Sequence, residues 1–142
     1  MSSDRIKSHD VTEHHPAITH MEAALAEAEQ ILAALDDSPE TIAALRNEGI
    51  VKHGMAGCIA DDRTVLAEHV RIDPQHCRVC WGPQRWPCWR LIQLATFWGW
   101  TTNDPYEAEL VAAARYRGSA RALEAMKVAL ATQRQREVAD DD

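Results

Sequence analysis

CRVCWGPQRWPCWRLIQLATFWGW is the sequence of residues 77–100. This stretch contains three of the four cysteines and all five tryptophans of the chain. Cys77 and Cys80 form a C-x2-C pair, a spacing at which one tight turn presents two thiolates to the same metal ion. Cys88 follows after seven intervening residues. We therefore expect a small zinc knuckle that leads directly into a helix.

A structural zinc site takes four ligands in a tetrahedron, so three cysteines leave one position to fill. His69 lies eight residues before Cys77, on the apolar face of a predicted helix. Cys58 would complete a four-cysteine site from a more distant loop. His76 adjoins Cys77, and neighbouring residues rarely both reach one ion, while His53 is remote. The residues alone leave His69, Cys58 and His76 open as the fourth ligand.

Three motifs in this region together resemble a module found in small uncharacterised proteins of actinobacteria and their phages. The motifs are LAEH at 66–69, the C-x2-C pair, and Trp86-Pro87-Cys88 followed by Arg90 and Leu94-Ala95. The resemblance covers about residues 64–96 and implies a zinc knuckle at 69–90 with His69, Cys77, Cys80 and Cys88 as metal ligands. The chain departs from the pattern at Trp89-Arg90, where those proteins commonly have Pro-Thr. The resemblance implies no known activity.

The composition fits a single domain with an uneven charge. The chain has 142 residues and a formal net charge of −7, and its acidic excess is concentrated in residues 1–50. Such a protein is not a general nucleic-acid binder by charge. A local basic patch of Arg71, Arg78, Arg85 and Arg90 nevertheless supports an alternative, a zinc knuckle that binds nucleic acid.

The sequence also predicts a cytoplasmic protein, or one of the host cytoplasm if a phage encodes it. No apolar run approaches the length of a membrane span, and the N-terminus lacks the apolar segment of a signal peptide. In a reducing compartment, closely spaced cysteines more often bind metal than form disulfides.

The hydrophobic periodicity predicts a mainly α fold. We expect a flexible arm at 1–15, a single helical domain at 16–136 and an acidic tail at 137–142. A capping box at Thr19 and Glu22 and a helix start at Ser38-Pro39 predict a helical hairpin, which Gly49 ends.

Beyond the hairpin we predict a loop, two shorter helices and one long helix. Residues 50–60 are expected to form the loop, with Cys58 buried in it. A short helix at 62–70, capped by Asp61 or Asp62, should precede the knuckle. A tryptophan-rich helix at 88–98, with Pro87 in its first turn and Gly99 at its end, and a long terminal helix at 105–136 complete the fold.

No catalytic motif accompanies the cysteines. The chain lacks H-E-x-x-H, G-x-S-x-G, a P-loop and the zinc-deaminase signature. We therefore predict a non-enzymatic, zinc-stabilised binding module that contacts a protein partner or a second copy of itself. The candidate anchors are Trp81, Trp86, Trp89 and Trp100, because tryptophan dominates interface energetics.

Overall fold

The computed structural model describes residues 15–69, 71–73, 76–77, 79–80, 87–102, 104 and 118–141. These described residues form five helices and one two-stranded antiparallel sheet, which confirms the mainly helical fold. The helices are α1 (Pro16–Ala34), α2 (Pro39–Asn47), α3 (Lys52–Glu68), α4 (Trp89–Phe97) and α5 (Gly118–Asp141), and the strands are β1 (Arg71–Asp73) and β2 (His76–Cys77). Residues 1–14 of the predicted arm and residues 105–117 of the predicted terminal helix lie outside the described residues.

Helix α1 begins one turn earlier than predicted. Pro16 occupies the first helical position, and His15 is the N-cap, whose Nδ1 accepts a hydrogen bond from the Ala17 N–H at 3.0 Å. The predicted capping box at Thr19 and Glu22 was wrong, because both residues lie inside the helix. Proline explains the earlier start, since its fixed φ suits the first turn and its missing N–H needs no partner there.

Helix α2 follows after residues 35–38 and begins as predicted. The Ser38 side chain accepts a hydrogen bond from the Thr41 N–H at 3.2 Å, and Pro39 is the first helical residue. Gly49 lies just beyond the helix at φ +74°, in the left-handed region where glycine carries no Cβ penalty. Residues within a few positions of each end therefore account for where α2 begins and ends.

Helix α3 replaces most of the predicted loop at 50–60, so that prediction was wrong. Met55 and Ile59, four residues apart, are both buried. Their packing offsets the helix propensity lost at Gly54 and Gly57, which is about 1 kcal/mol for each glycine. Cys58 is exposed on this helix, so its predicted burial was also wrong.

The start of α3 differs from the prediction in its cap as well. Val51 is the N-cap and makes no side-chain capping hydrogen bond. Asp61 and Asp62 lie inside the helix, so neither caps it. The helix is consequently longer than the predicted segment at 62–70, and it ends at Glu68, directly before His69.

Helix α4 packs against α1, α3 and α5 and is the most buried helix described. Cys88 is its N-cap, so Pro87 precedes the helix and does not belong to its first turn. The predicted inner face is confirmed by the burial of Leu91, Leu94, Ala95 and Trp98, and Ile92 is buried as well. Gly99, at φ +93°, ends the helix as expected.

Helix α5 packs on α1 and α2 and continues beyond its predicted end at residue 136. Residues 137–141 of the predicted acidic tail are helical. The buried Gln133 ties α5 to the end of α1, because its Nε2 donates to the Ala34 carbonyl at 3.0 Å and its Oε1 accepts from the Asp36 N–H at 2.8 Å. In the part of the chain that is described, no helix combines the length and apolarity needed to cross a membrane.

Two glycines provide a matched test of these helix boundaries. In Gly57→Ala the added Cβ meets nothing within 4 Å inside α3, so helix propensity should raise the free energy of unfolding by about 0.5–1 kcal/mol. In Gly99→Ala the added Cβ lies 3.3 Å from the Ala120 Cβ, and the residue must keep a positive φ. Together these effects should lower the free energy of unfolding by more than about 1 kcal/mol. Urea denaturation measures both, and a stabilised Gly99→Ala would contradict the described end of α4.

Candidate metal centre

Three separate segments bring the predicted ligands together. His69 caps the C-terminal end of α3, and its N–H donates to the Val65 carbonyl at 3.0 Å. Strands β1 and β2 then reverse the chain, so that Cys77 pairs with Arg71 next to the end of α3. Cys88 arrives as the N-cap of α4. The site therefore lies where a helix end, a hairpin and a helix start converge.

The distances within the cluster are nearly equal. His69 Nδ1 lies 3.5 Å from Cys77 Sγ, 3.4 Å from Cys80 Sγ and 3.5 Å from Cys88 Sγ. All four potential ligand atoms lie within 4.8 Å of one another. A ring nitrogen carries one hydrogen or one lone pair, so hydrogen bonding satisfies only one of these three contacts. The arrangement is that of four atoms around a common centre.

A tetrahedral ion would account for this spacing. Zinc bonds of about 2.3 Å to sulfur and 2.0–2.1 Å to nitrogen place the nitrogen about 3.6 Å from each sulfur. The observed separations of 3.4–3.5 Å are close to that value. The donor set thus fits a metal ion without any rearrangement of the chain.

The cluster is largely shielded from solvent. Cys88 and Cys77 are buried, His69 is nearly so, and Cys80 is partly exposed. All three thiols are free of disulfide bonds. Burial in an apolar surrounding disfavours a charged thiolate unless a cation or hydrogen bonds compensate it.

The pKa shifts in the cluster reflect that balance. Burial raises the pKa of the Cys88 thiol far above its ordinary value, and the neighbouring charges of Cys77 and Cys80 raise it further. Burial also raises the pKa of Cys77, but hydrogen bonds from the Cys80 and Val79 N–H groups, together with those of the neighbouring thiols, outweigh it and lower the pKa. Three thiolates in one buried place need a nearby cation, and a bound metal deprotonates its thiols.

His69 is set up to be a neutral ligand. Burial lowers its pKa, and the positive charge of Arg90 lowers it further. A metal-bound imidazole must be neutral, so both effects favour the ligating form. The Nδ1 atom faces the sulfurs, so Nδ1 is the atom positioned to bind.

Among the described side chains, two other candidates for the fourth ligand, Cys58 and His53, are not part of this cluster. Cys58 and His53 are exposed on α3, away from the three sulfurs. The His76 side chain lies outside the described residues. Of the residues that the sequence left open, the structure brings His69 to the cysteines.

Two polar contacts involve α4 and its C-cap residue, Trp98. Arg90 donates to Gln93 Oε1 at 3.1 Å, and Trp98 Nε1 donates to Asp62 Oδ2 at 2.9 Å. Burial raises the pKa of Asp62, while the Trp98 hydrogen bond and the charge of Arg90 oppose that shift. Sequence reasoning treated Asp62 only as a helix cap. The available signal was its position seven residues, or two helical turns, before His69.

Comparison of the chain with protein-family models, with curated protein sequences and with solved structures gave no significant match. The resemblance to actinobacterial and phage proteins stays a prediction. The function is consequently argued from the geometry of the site.

The cysteines provide a second matched pair of variants. With zinc present, Cys80→Ser should lower the free energy of unfolding by at least about 3 kcal/mol, because metal-binding energy is also folding energy. Cys58→Ser should change it by no more than about 0.5 kcal/mol, since this side chain is exposed. Chemical denaturation measures both variants. An excess of chelator should remove most of the difference, and a difference that persists would mean that Cys80 acts through packing.

Proposed function

We propose that His69, Cys77, Cys80 and Cys88 hold one structural zinc ion, and that the protein is a non-enzymatic, zinc-stabilised binding module. The observation that carries this proposal is the nearly equal spacing of His69 Nδ1 from the three sulfurs, at 3.4–3.5 Å. Soft thiolates with one imidazole suit zinc and do not suit magnesium or calcium, which prefer oxygen ligands.

A structural role fits this donor set better than a catalytic one. Catalytic zinc sites keep three protein ligands and one open position for water or substrate. In the proposed site, four side chains would provide the four positions of a tetrahedron. A closed site of this kind stabilises the fold and leaves no place on the ion for a reacting molecule.

The proposed binding surface lies next to the zinc ligands. Trp89, 48% exposed, directly follows Cys88, and Val79, 42% exposed, directly precedes Cys80. A zinc ion at the cluster would therefore fix the backbone that presents both apolar side chains. Exposed tryptophan is a frequent anchor at protein interfaces, so the proposed partner is another protein or a second copy of the chain.

The other candidate anchors do not contribute to this argument. Trp100 is only 7% exposed and packs inside the protein, so it is not a surface anchor. Trp81 and Trp86 lie outside the described residues.

Nucleic-acid binding remains the weaker alternative. The side chains of Arg71, Arg78 and Arg85 lie outside the described residues. Arg90 is partly buried and directs one guanidinium N–H to Gln93, with its charge close to Asp62 and His69. Together with the net charge of −7, this favours a protein partner.

The proposal predicts about one zinc ion per chain by elemental analysis. His69→Ala should lower zinc affinity at least a hundredfold, because it removes one of four ligands. His69→Cys should retain most of the affinity, since zinc accepts four cysteines. His53→Ala is the control, because His53 is exposed on the same helix. Competition against a coloured chelator measures all four proteins, and unchanged affinity in His69→Ala would exclude His69 as a ligand.

The binding surface predicts a specific loss of association. Trp89→Ala should weaken self-association of the zinc-loaded protein, or its complex with a protein partner, at least tenfold. Val138→Ala should leave association unchanged, because Val138 is 66% exposed on α5 and does not adjoin a ligand. Sedimentation velocity over a concentration range provides the measurement. A zinc-loaded monomer that instead shifts DNA or RNA in a salt-dependent gel would support the nucleic-acid alternative.

A further inference from the structure

Helices α3 and α4 run antiparallel and are joined at two separate places. At one end, His69 Nδ1 on α3 lies 3.5 Å from Cys88 Sγ on α4. Farther along, Trp98 Nε1 on α4 donates to Asp62 Oδ2 on α3 at 2.9 Å. The second contact joins residues 36 apart in the chain and lies outside the ligand cluster.

The spacing along the helices gives the second contact a geometric role. Asp62 precedes His69 by seven residues, about 10 Å of helix, and Trp98 follows Cys88 by ten residues, about 15 Å. Apolar packing of α4 against α1, α3 and α5 holds the helices together, but it is non-directional and fixes their crossing angle less closely than a hydrogen bond does. A second contact at this distance restricts changes in that angle, and metal ligands must be placed to within about 0.2 Å.

We propose that Asp62 and Trp98 form a positioning pair that holds His69 and Cys88 at the separation a metal ion requires. This inference rests on the proposed function, because it concerns the same metal centre. It assigns a role to two residues that do not touch the ion.

One further hydrogen bond and one nearby charge act on this pair. The backbone carbonyl of Trp98 lies 2.7 Å from His20 Nε2 on α1, so the end of α4 is held from a second side. Arg90, also on α4, is close enough for its positive charge to favour an ionised Asp62. A partly buried carboxylate is costly unless it is hydrogen-bonded or paired, and the Trp98 hydrogen bond and the Arg90 charge offset part of that cost.

The test is zinc affinity in variants that remove or keep this hydrogen bond. Asp62→Leu removes the acceptor and Trp98→Phe removes the donor, and each should lower affinity at least tenfold. Both changes break the same contact, so their effects should not add. The affinity of the double variant should be at most about threefold below that of the weaker-binding single variant. Asp62→Asn should bind within about threefold of wild type, since its amide oxygen still accepts from the indole. Competition against a coloured chelator measures each affinity.

A control variant that also loses hydrogen bonds between helices separates the positioning effect from a general loss of stability. Gln133→Leu removes two hydrogen bonds between α5 and the end of α1 and should leave zinc affinity unchanged. In Co²⁺-loaded protein, Asp62→Leu and Trp98→Phe should alter the visible absorption of the metal, whereas Gln133→Leu should not. Circular dichroism confirms that each variant is folded.

The outcomes distinguish this inference from the proposed zinc site on which it rests. A wild-type chain that binds no zinc would overturn both. If Asp62→Leu and Trp98→Phe both bind zinc as tightly as the wild type, only the positioning pair would be overturned. An equal loss of affinity in Gln133→Leu would also overturn it, because the effect would then follow stability.

Discussion

The gathering of three cysteine sulfurs around one imidazole nitrogen is the constraint on which the centre of this structure depends. Cys77 and Cys88 are buried beside Cys80, and their sulfurs surround one imidazole nitrogen. The hairpin between α3 and α4 has strands of only three and two residues, too short to be stable alone. Zinc would stabilise this hairpin, since structural zinc sites contribute about 10–16 kcal/mol of binding free energy to folding. That is comparable with the whole stability of a domain, about 5–15 kcal/mol. Because α4 carries Cys88 at its start and packs in the core, metal binding at this site would be coupled to core packing.

The features that the sequence predicts well are those set by local chemistry. The start of α2 depends on Ser38 and Pro39, and the ends of α2 and α4 depend on Gly49 and Gly99, all of which act within a few residues. The candidate ligands could be predicted for the same reason, because the cysteine spacing and the apolar helix face that carries His69 can be recognised along the chain. The structure brings those four predicted residues together, although spacing alone left the fourth ligand open.

The features that the sequence does not reveal depend on contacts between distant segments. Glycine content suggested a loop before Asp61, yet burial of Met55 and Ile59 against other helices makes that segment helical. The capping box at Thr19 is locally convincing, but a proline one turn earlier starts α1. The hydrogen bond between Asp62 and Trp98 joins two helices across 36 residues. No periodicity predicts such a pair, because it exists only after the helices have packed.

X-ray absorption spectroscopy at the zinc edge, on protein purified with zinc, tests the central claim most directly. The account predicts three sulfur atoms at about 2.3 Å and one nitrogen at about 2.0–2.1 Å in the first coordination shell. That count would give the types of all four ligand atoms and show a closed site in the same measurement. An oxygen ligand, a shell of four sulfurs, or protein that retains no zinc would contradict it.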